Sequence, residues 1–326
     1  MKKPFVVILL FCFALSMPVL QAQTCCSAGA PITSSFAIGS SSAKSLAFQI
    51  DYEFNSVNLL IDNNTRLKND PRTRNGHNFI VKTDYVLNEN WAVSVFLPFV
   101  IQNRTTVSAS ESARGLGDLT LLGQYSKPVG QDGQLSFGLG IKLPTGSQFI
   151  RDERGINLSP DMQSGSGTYD FIGRLAYGKN HVFINNLSLQ TAFSYRYNTT
   201  NQHFGDPEGI AGRRFKFGNE SQWTTVFSYS IFSTLGFWAP ELGLLLRHAT
   251  PNQEQGINAP NSGGYWLRLP LGLAFRPNEQ LSIRLSGELP IFQDLDGLQI
   301  TTDYKLGLQL RYQLSFDKQL TPTIFE

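Results

Sequence analysis

The chain has 326 residues, with 27 Lys or Arg against 25 Asp or Glu, so its formal net charge at pH 7 is +2. A charge this close to zero, without any basic run, argues against a nucleic-acid partner. Charged residues make up only 16% of the chain, whereas Gly and aromatic residues are plentiful, and the length allows one large domain.

The first 22 residues have the layout of a secretory signal peptide. Lys2-Lys3 form a basic start, residues 5–15 are an apolar core, and a small-residue cleavage site ends at Ala22. The alternative is a membrane anchor, but this apolar core is too short to span a bilayer comfortably. We therefore expect residues 1–22 to be removed during export, which leaves residues 23–43 as an N-terminal segment in the periplasm or in a barrel lumen.

About twelve runs of alternating polar and apolar residues follow this N-terminal region. Successive side chains of a β-strand point to opposite faces, so each run is typical of a strand with one polar and one apolar face. The predicted strands span residues 45–55, 78–88, 91–102, 117–127, 134–144, 168–178, 182–198, 221–232, 241–249, 264–276, 279–289 and 302–316.

Six long polar gaps alternate with five short ones between these strands. The short gaps are residues 88–90, 128–133, 179–181, 233–240 and 277–278. The long gaps are residues 56–77, 103–116, 145–167, 199–220, 250–263 and 290–301. This spacing is typical of a closed barrel with short periplasmic turns and long extracellular loops. We therefore predict an all-β protein: a closed antiparallel transmembrane β-barrel of about 12 strands over residues 44–316, followed by a C-terminal tail over residues 317–326.

The last predicted strand shows the alternation most clearly. One face is apolar throughout, with aliphatic residues at the centre and aromatic residues toward both ends, and the other face is polar or small. Because Tyr and Phe rings suit the boundary between headgroups and hydrocarbon, the apolar face is expected to contact lipid. Its predicted lipid-facing residues are Tyr304, Leu306, Leu308, Leu310, Tyr312, Leu314 and Phe316.

A soluble β-sandwich with one buried face would show the same alternation. Strand lengths near ten residues favour the membrane barrel, since they suit a tilted strand across ~30 Å of hydrocarbon. The order of short and long gaps favours it as well. An exported strand protein in lipid must close on itself to satisfy its backbone, so we expect the cell outer membrane of a Gram-negative organism.

Charged residues recur on the face opposite the apolar one. In a membrane barrel this face lines a hydrated lumen. The candidate lumen-lining residues are Asp51, Asp84, Arg174, Arg268, Arg284 and Arg311. They have two interpretations: they set the electric field of a passage, or they brace with salt bridges a lumen that conducts nothing. Residues 23–43 or an inward-folded loop could block part of this lumen.

The predicted strand 182–198 has the least regular alternation. Val182 and Ile184 are out of phase with the apolar residues that follow from Leu187 onward. A β-bulge inserts one residue and restores such a phase, so a bulge is predicted near Asn185-Asn186.

Two adjacent cysteines, Cys25 and Cys26, remain near the mature N-terminus, since Cys12 lies within the signal peptide. A disulfide between neighbouring residues is strained, because consecutive Cα atoms are closer than a disulfide normally spans. An exposed thiol pair is the second interpretation. A soft-metal site for an ion such as Cu(I) is a third and weaker one, because His and Met are absent nearby.

The sequence shows no catalytic constellation. The four His residues do not stand beside a Ser on one strand face, as a hydrolase would require. One long gap contains His203, Asp206 and Glu208. This group has two interpretations: a site for a divalent ion, or part of a solvated polar loop. We expect neither enzymatic activity nor a cofactor.

Three glycine-rich phrases resemble a known family. They are Gly115–Gly123 (GLGDLTLLG), Leu143–Gly146 (LPTG) and Gly165–Asp170 (GSGTYD). Their order and spacing are similar to those of the MetA-pathway phenol-degradation, or transporter-like, outer-membrane β-barrel family. The resemblance covers roughly residues 40–316 and implies an outer-membrane channel or transporter, often beside genes for the breakdown of aromatic compounds. The family has no firmly assigned catalytic residues, so none is transferred.

The end of the last strand, Tyr312-x-Leu314-x-Phe316, resembles the signal that barrel-assembly machinery reads, although ten residues follow it. The sequence therefore predicts a channel or transporter for small solutes, hydrophobic or aromatic ones included. Its expected partners are outer-membrane lipids, the solute and, during biogenesis, that machinery. The alternatives are a barrel that acts through its extracellular loops without transport, and an outer-membrane hydrolase.

Overall fold

The computed structural model describes residues 44–316, apart from 69, 207 and 209–212. Within this part of the chain, twelve long strands form one antiparallel sheet. They are β1 (Ser45–Ser56), β2 (Thr73–Val86), β3 (Trp91–Thr105), β4 (Leu119–Val129), β5 (Gly133–Leu143), β6 (Asp170–Lys179), β7 (Leu187–Tyr197), β8 (Glu220–Tyr229), β9 (Gly236–Ala249), β10 (Gly264–Arg276), β11 (Leu281–Leu295) and β12 (Tyr304–Ser315).

Each strand pairs with its neighbours in the chain, and β1 pairs with β12, so the sheet closes into a barrel. The closing ladder runs without a shift from Ser45 opposite Ser315 to Ser56 opposite Tyr304. Closure leaves the barrel without an edge strand, which is what a sheet surrounded by lipid requires. The predicted fold class, a closed antiparallel barrel of twelve strands, is confirmed.

The two ends of the barrel differ. The short-turn end carries the connections 87–90, 130–132, 180–186, 230–235 and 277–280. The long-loop end carries the connections 57–72, 106–118, 144–169, 198–219, 250–263 and 296–303. Lys44 and Phe316 both lie at the short-turn end, where the Phe316 backbone N–H donates to the Lys44 carbonyl at 3.1 Å.

Several strands extend beyond their predicted bounds. β2 begins at Thr73 and β11 ends at Leu295, so both continue into segments that the sequence predicts as loops. β9 begins at Gly236, although Pro240 suggested a turn. The ladder between β9 and the preceding chain is interrupted between the pairs Glu241–Ser228 and Trp238–Ile231. Pro240 lies in this interruption, where its missing backbone N–H costs no ladder hydrogen bond on that side.

The predicted strand 182–198 is too long, and the bulge predicted at Asn185-Asn186 is wrong. β7 begins at Leu187, and the residues before it form a turn with positive φ at His181, Phe183 and Asn186. Positive φ is incompatible with a strand, which explains why the apolar residues there are out of phase. The sheet instead shifts register between Leu267 and Arg268.

The long-loop end carries additional short strands. Segments 110–116 and 91–105 form a hairpin that extends the wall. Two small sheets cover this end of the lumen. They comprise Leu59–Asp62, Thr65–Leu67 and Leu298–Thr301, and Thr200–Asn201, Phe215–Lys216, Gln253–Glu254 and Ile257–Asn258. A 3₁₀ turn spans Pro160–Met162. Among the described residues, no helix has the length and apolar character needed to cross a membrane.

The distribution of apolar residues is inverted relative to a soluble protein. Exposed large apolar residues cover the outside of the wall, and on β12 they are Tyr304, Leu306, Leu308, Leu310 and Tyr312, with Phe316 just beyond the strand. Leu314, in the same row, is half-buried. Buried apolar residues instead form small clusters inside, such as Trp266 with Ile61 and Leu295 beneath the long loops. The interior is therefore largely polar, with loops packed together at its long-loop end.

Candidate functional site: the barrel lumen

Charged side chains recur on the inner face of the wall. The structure places all six candidate lumen residues on this face. Asp51, Asp84, Arg174 and Arg268 are buried, while Arg284 and Arg311 are half-buried. They occupy five neighbouring strands from β10 round to β2, together with β6 on the other side of the barrel. Inward alternation alone accounts for this placement.

Arg311 on β12 is the centre of a cluster toward the short-turn end. Its guanidinium donates to the Asp84 carboxylate at 2.5 Å and to the Gln49 side-chain carbonyl at 3.3 Å. The ammonium of Lys82 lies 3.1 Å from the same carboxylate. Gln49 in turn donates to Asp51 at 2.9 Å. These contacts link three adjacent strands, β12, β1 and β2.

Further ion pairs continue around the lumen. Arg284 on β11 donates to Glu241 on β9 at 2.6 Å, which bridges across the intervening strand β10. Arg268 donates to Glu288 at 3.4 Å. Between these pairs and Lys305 lies a cavity of about 30 Å³, bordered by Asp51, Glu53, Arg284, Glu288, Lys305 and Gln309 among others. This is room for roughly two water molecules.

A carboxylate shared by two arginines lies nearer the long-loop end. Glu220 accepts from Arg196 at 3.0 Å and from Arg247 at 2.9 Å, and all three side chains are buried. The Arg247 guanidinium also lies 4.6 Å from the ring centroid of Trp266. Charged side chains almost never lie this deep unless they are paired, and this group meets that condition.

One long loop folds into the lumen. This inward loop, residues 144–169, has buried side chains at most positions from Leu158 to Thr168. Asp161 in its 3₁₀ turn accepts from Arg74 at 2.5 Å and from Arg104 at 3.3 Å. Both arginines lie on the wall, on β2 and β3. The loop is therefore tied to the wall by charge-assisted hydrogen bonds, which are stronger than neutral ones.

A second anchor lies where the inward loop joins the wall. Lys142 lies 2.5 Å from Asp170 and 3.2 Å from Asp118, and neither carboxylate side chain is exposed. Ser166 donates to Asp118 through both its backbone N–H, at 2.8 Å, and its hydroxyl, at 2.7 Å. Gly146 donates its backbone N–H to the other Asp118 oxygen at 3.0 Å. Asp118 thus fixes both ends of the loop.

The three glycine-rich phrases meet at this anchor. A Cβ on Gly146 would lie 2.7 Å from the Cα of Gly165 and 3.0 Å from that of Gly117, closer than real Cβ contacts. Only glycine permits the three backbones to approach this closely. The phrases that carry the family resemblance are therefore the parts that pack the inward loop against the wall.

The remainder of the inward loop is internally bonded. Gln163 is buried and exchanges hydrogen bonds with the Ile150 backbone, donating at 3.0 Å and accepting at 2.8 Å. At the tip, the backbone N–H of Ile156 donates to the Asp152 carboxylate at 2.8 Å. Because this hydrogen bond favours the ionised form, the pKa of Asp152 is held below its usual range. These bonds give the loop a defined shape of its own.

Among the described residues, the candidate metal ligands are not gathered into a site. One local turn contains His203, Asp206 and Glu208. In the part of the chain that the structure describes, no group of three potential ligands is close enough to hold a metal ion. Cys25 and Cys26 lie outside the described residues, as do the predicted signal peptide, the segment 23–43 and the tail 317–326. Asp161 and the pairings around Glu220 have no signature in the sequence, because loop folding and shear between strands bring these residues together.

A model of the family described as the MetA-pathway of phenol degradation matches residues 68–291. None of the curated proteins matches the chain in sequence. Among solved structures, an outer membrane channel from Pseudomonas putida F1 has a TM-score of 0.67 and 15% identity, covering 83% of this chain and 96% of that one. The β-domain of the Bordetella autotransporter BrkA has a TM-score of 0.49 and 11% identity, covering 82% and 99%.

A FadL homologue from Pseudomonas aeruginosa has a TM-score of 0.44 and 10% identity, covering 82% of this chain and 90% of that one. At such low identities a similarity speaks to the fold alone, and the channel from Pseudomonas putida F1 shares the barrel. The family match covers more than half of the chain and includes all three glycine-rich phrases. The resemblance seen in the sequence is thus confirmed, and the chain belongs to the MetA-pathway phenol-degradation family.

Proposed function

We propose that this protein is a channel of the Gram-negative outer membrane that passes small solutes, hydrophobic or aromatic ones included, through its lumen. The observation that carries the proposal is the inverted barrel: a closed wall, apolar outside and charged inside. Such a wall is stable where hydrocarbon covers the outside and water reaches the inside. The family name adds support for aromatic solutes.

The outer surface is proposed to contact lipid along its whole circumference. On β12 the contact row comprises Tyr304, Leu306, Leu308, Leu310, Tyr312, Leu314 and Phe316. The short-turn end is proposed to face the periplasm, since outer-membrane barrels have short periplasmic turns and long extracellular loops. The terminal Tyr312-x-Leu314-x-Phe316 pattern supports assembly by the barrel-assembly machinery.

The inward loop is proposed to be the element that controls access. Loops and ion pairs pack together at the long-loop end, so we expect solute entry to require a shift of some part of this packing. The inward loop is the natural moving part because it is joined to the wall mainly at two anchors, around Asp161 and around Asp118. The wall itself is held by continuous ladders.

The proposal is tested by reconstituting the purified chain in liposomes and measuring swelling with small uncharged solutes. The proposal expects slow but measurable swelling above that of protein-free liposomes, and single-channel conductance steps in planar bilayers. The competing interpretation, a lumen that is only braced, expects neither. Absence of both signals, even after the inward loop is released by Asp161→Asn, would contradict the channel function. We expect no catalytic activity.

A further inference from the structure

Among the residues that the structure describes, the inward-facing charges fall into two sets along the barrel axis. The first set lies toward the long-loop end, more than six residues from the short-turn end of each strand or in the adjoining segments. It contains basic and acidic side chains in similar numbers, so it has no basic surplus. Its members include Arg74, Arg104, Lys142, Arg196, Arg247, Arg268 and Lys305, and Glu53, Glu111, Asp118, Asp161, Asp170, Glu220, Glu288 and Asp303.

The second set lies within six residues of the short-turn end and is not balanced. It contains five basic and three acidic side chains, which leaves a surplus of two positive charges. Its members are Lys82, Arg174, Arg276, Arg284 and Arg311, and Asp51, Asp84 and Glu241. This short-turn charge set therefore gives one end of the lumen a basic character that the other end lacks.

Three of the five basic members of the short-turn charge set are accessible, whereas Lys82 and Arg174 are buried. Arg276 is exposed at the mouth, and the side chains of Arg284 and Arg311 are 20% and 18% accessible. Their acidic partners Glu241 and Asp84 are less accessible, at 15% and 11%. Within this set, the most accessible charge is therefore the guanidinium of Arg276.

The contacts of Arg276 leave its charge effective. Its guanidinium lies 5.4 Å from the ring centroid of Phe237. An aromatic face attracts a cation without carrying a full opposite charge, so it holds the guanidinium in place but does not neutralise it. The ring contact thus keeps the Arg276 guanidinium at this end of the lumen.

We propose that the short-turn end of the lumen is an anion-selective vestibule, and that the solutes it favours are small organic anions that carry a carboxylate. This inference rests on the proposed channel function. Rings of Arg and Lys select anions in pores, and low-dielectric walls focus their field on the passage. The planar fork of Arg matches a carboxylate with two parallel hydrogen bonds.

The first test is the reversal potential of single channels in planar bilayers under a KCl gradient. The wild-type chain is expected to pass Cl⁻ more readily than K⁺. Arg276→Gln removes one exposed charge and is expected to move the reversal potential toward zero. The matched control Arg66→Gln removes the same charge from an exposed loop residue at the other end and is expected to leave it unchanged. A wild-type channel that prefers K⁺, or has no preference, would overturn the inference while leaving the channel function intact.

The second test uses a pair of organic probes of similar shape and opposite charge. With benzoate or benzylammonium as the permeant ion, bi-ionic reversal potentials are expected to show a higher permeability for benzoate. Arg276→Gln is expected to reduce this preference. Equal permeability of the two probes would refute the carboxylate preference. A chain that gives no conductance with any salt refutes the channel function itself, and this inference with it.

Discussion

Arg74 and Asp161, 87 residues apart in sequence, form a 2.5 Å ion pair inside the barrel that joins the wall to the inward loop. Arg74 also donates to the backbone carbonyl of Asp161 at 2.6 Å and to the Gln102 side chain. A guanidinium with three acceptors of this kind fixes the position of the loop rather than merely contacting it. The most direct test of access control therefore starts at this pair.

Asp161→Asn is expected to loosen the inward loop and to raise single-channel conductance. The substitution removes the charge that Arg74 and Arg104 share, and breaking one side of a buried pair typically costs about 3–5 kcal/mol. The measurement is conductance in planar bilayers, with urea unfolding in vesicles to follow stability.

The matched control for that variant is Asp152→Asn, the same change in the same loop at its exposed tip. This control is expected to leave conductance unchanged. Equal conductance of Asp161→Asn and the wild-type chain would mean that the inward loop does not limit passage.

Gly165→Ala is expected to destabilise the barrel, because the added Cβ would overlap the Gly146 backbone where the loop joins the wall. Overpacking of this kind typically costs about 1–3 kcal/mol. Gly173→Ala is the control, since nothing lies within 4 Å of a Cβ at that position. Both variants are compared by urea unfolding. Similar unfolding midpoints would show that the close approach of the glycine-rich phrases is unimportant.

Leu308→Arg and Gln309→Arg test the two faces of β12. Leu308 is exposed on the outer row, whereas Gln309 faces the lumen beside the small cavity. A charge on the lipid face near mid-membrane costs about 2–4 kcal/mol, so Leu308→Arg should fold poorly into vesicles while Gln309→Arg should be mild. The readout is the folded fraction on a gel without boiling. Equal tolerance of both substitutions would mean that the faces are assigned wrongly.

A double-mutant cycle measures the coupling free energy between Arg284 and Glu241. Arg284→Gln and Glu241→Gln are each expected to lower stability, because each leaves a half-buried charge without its partner. The double variant is expected to be more stable than the sum predicts, with a coupling energy of roughly 0.5–3 kcal/mol. Additive effects in urea unfolding would show that the pair does not brace the wall.

The sequence alone was sufficient to predict the barrel and to assign its inner and outer faces. Successive residues of a strand, such as Leu308 and Gln309, point to opposite faces, and this alternation is visible in the sequence. It was not sufficient where local rules compete. The turn before β7 has apolar residues but positive φ at Phe183, and β9 contains a proline at position 240. In both cases the backbone conformation, not the residue pattern, sets the strand end.

The pairings inside the lumen were beyond the reach of a single sequence. Asp161 lies in a stretch that resembles any polar loop, and its partner Arg74 falls in a segment predicted as loop as well. Their contact depends on how a long loop folds and on how far neighbouring strands are staggered, neither of which alternation encodes. The only sequence signal was the cluster of glycines around residues 115–117, 146 and 165–167, which marks a close approach of backbones.

The central claim is that lipid covers the outside of the barrel and water reaches its interior. It is tested by spin labels at Leu308→Cys and Gln309→Cys, in a chain whose Cys25 and Cys26 are replaced by Ser, reconstituted in lipid vesicles. Power-saturation measurements should show the label at 308 accessible to oxygen dissolved in lipid and shielded from a water-soluble nickel complex. The label at 309 should show the reverse. Free access of the nickel complex to the label at 308 would contradict the account.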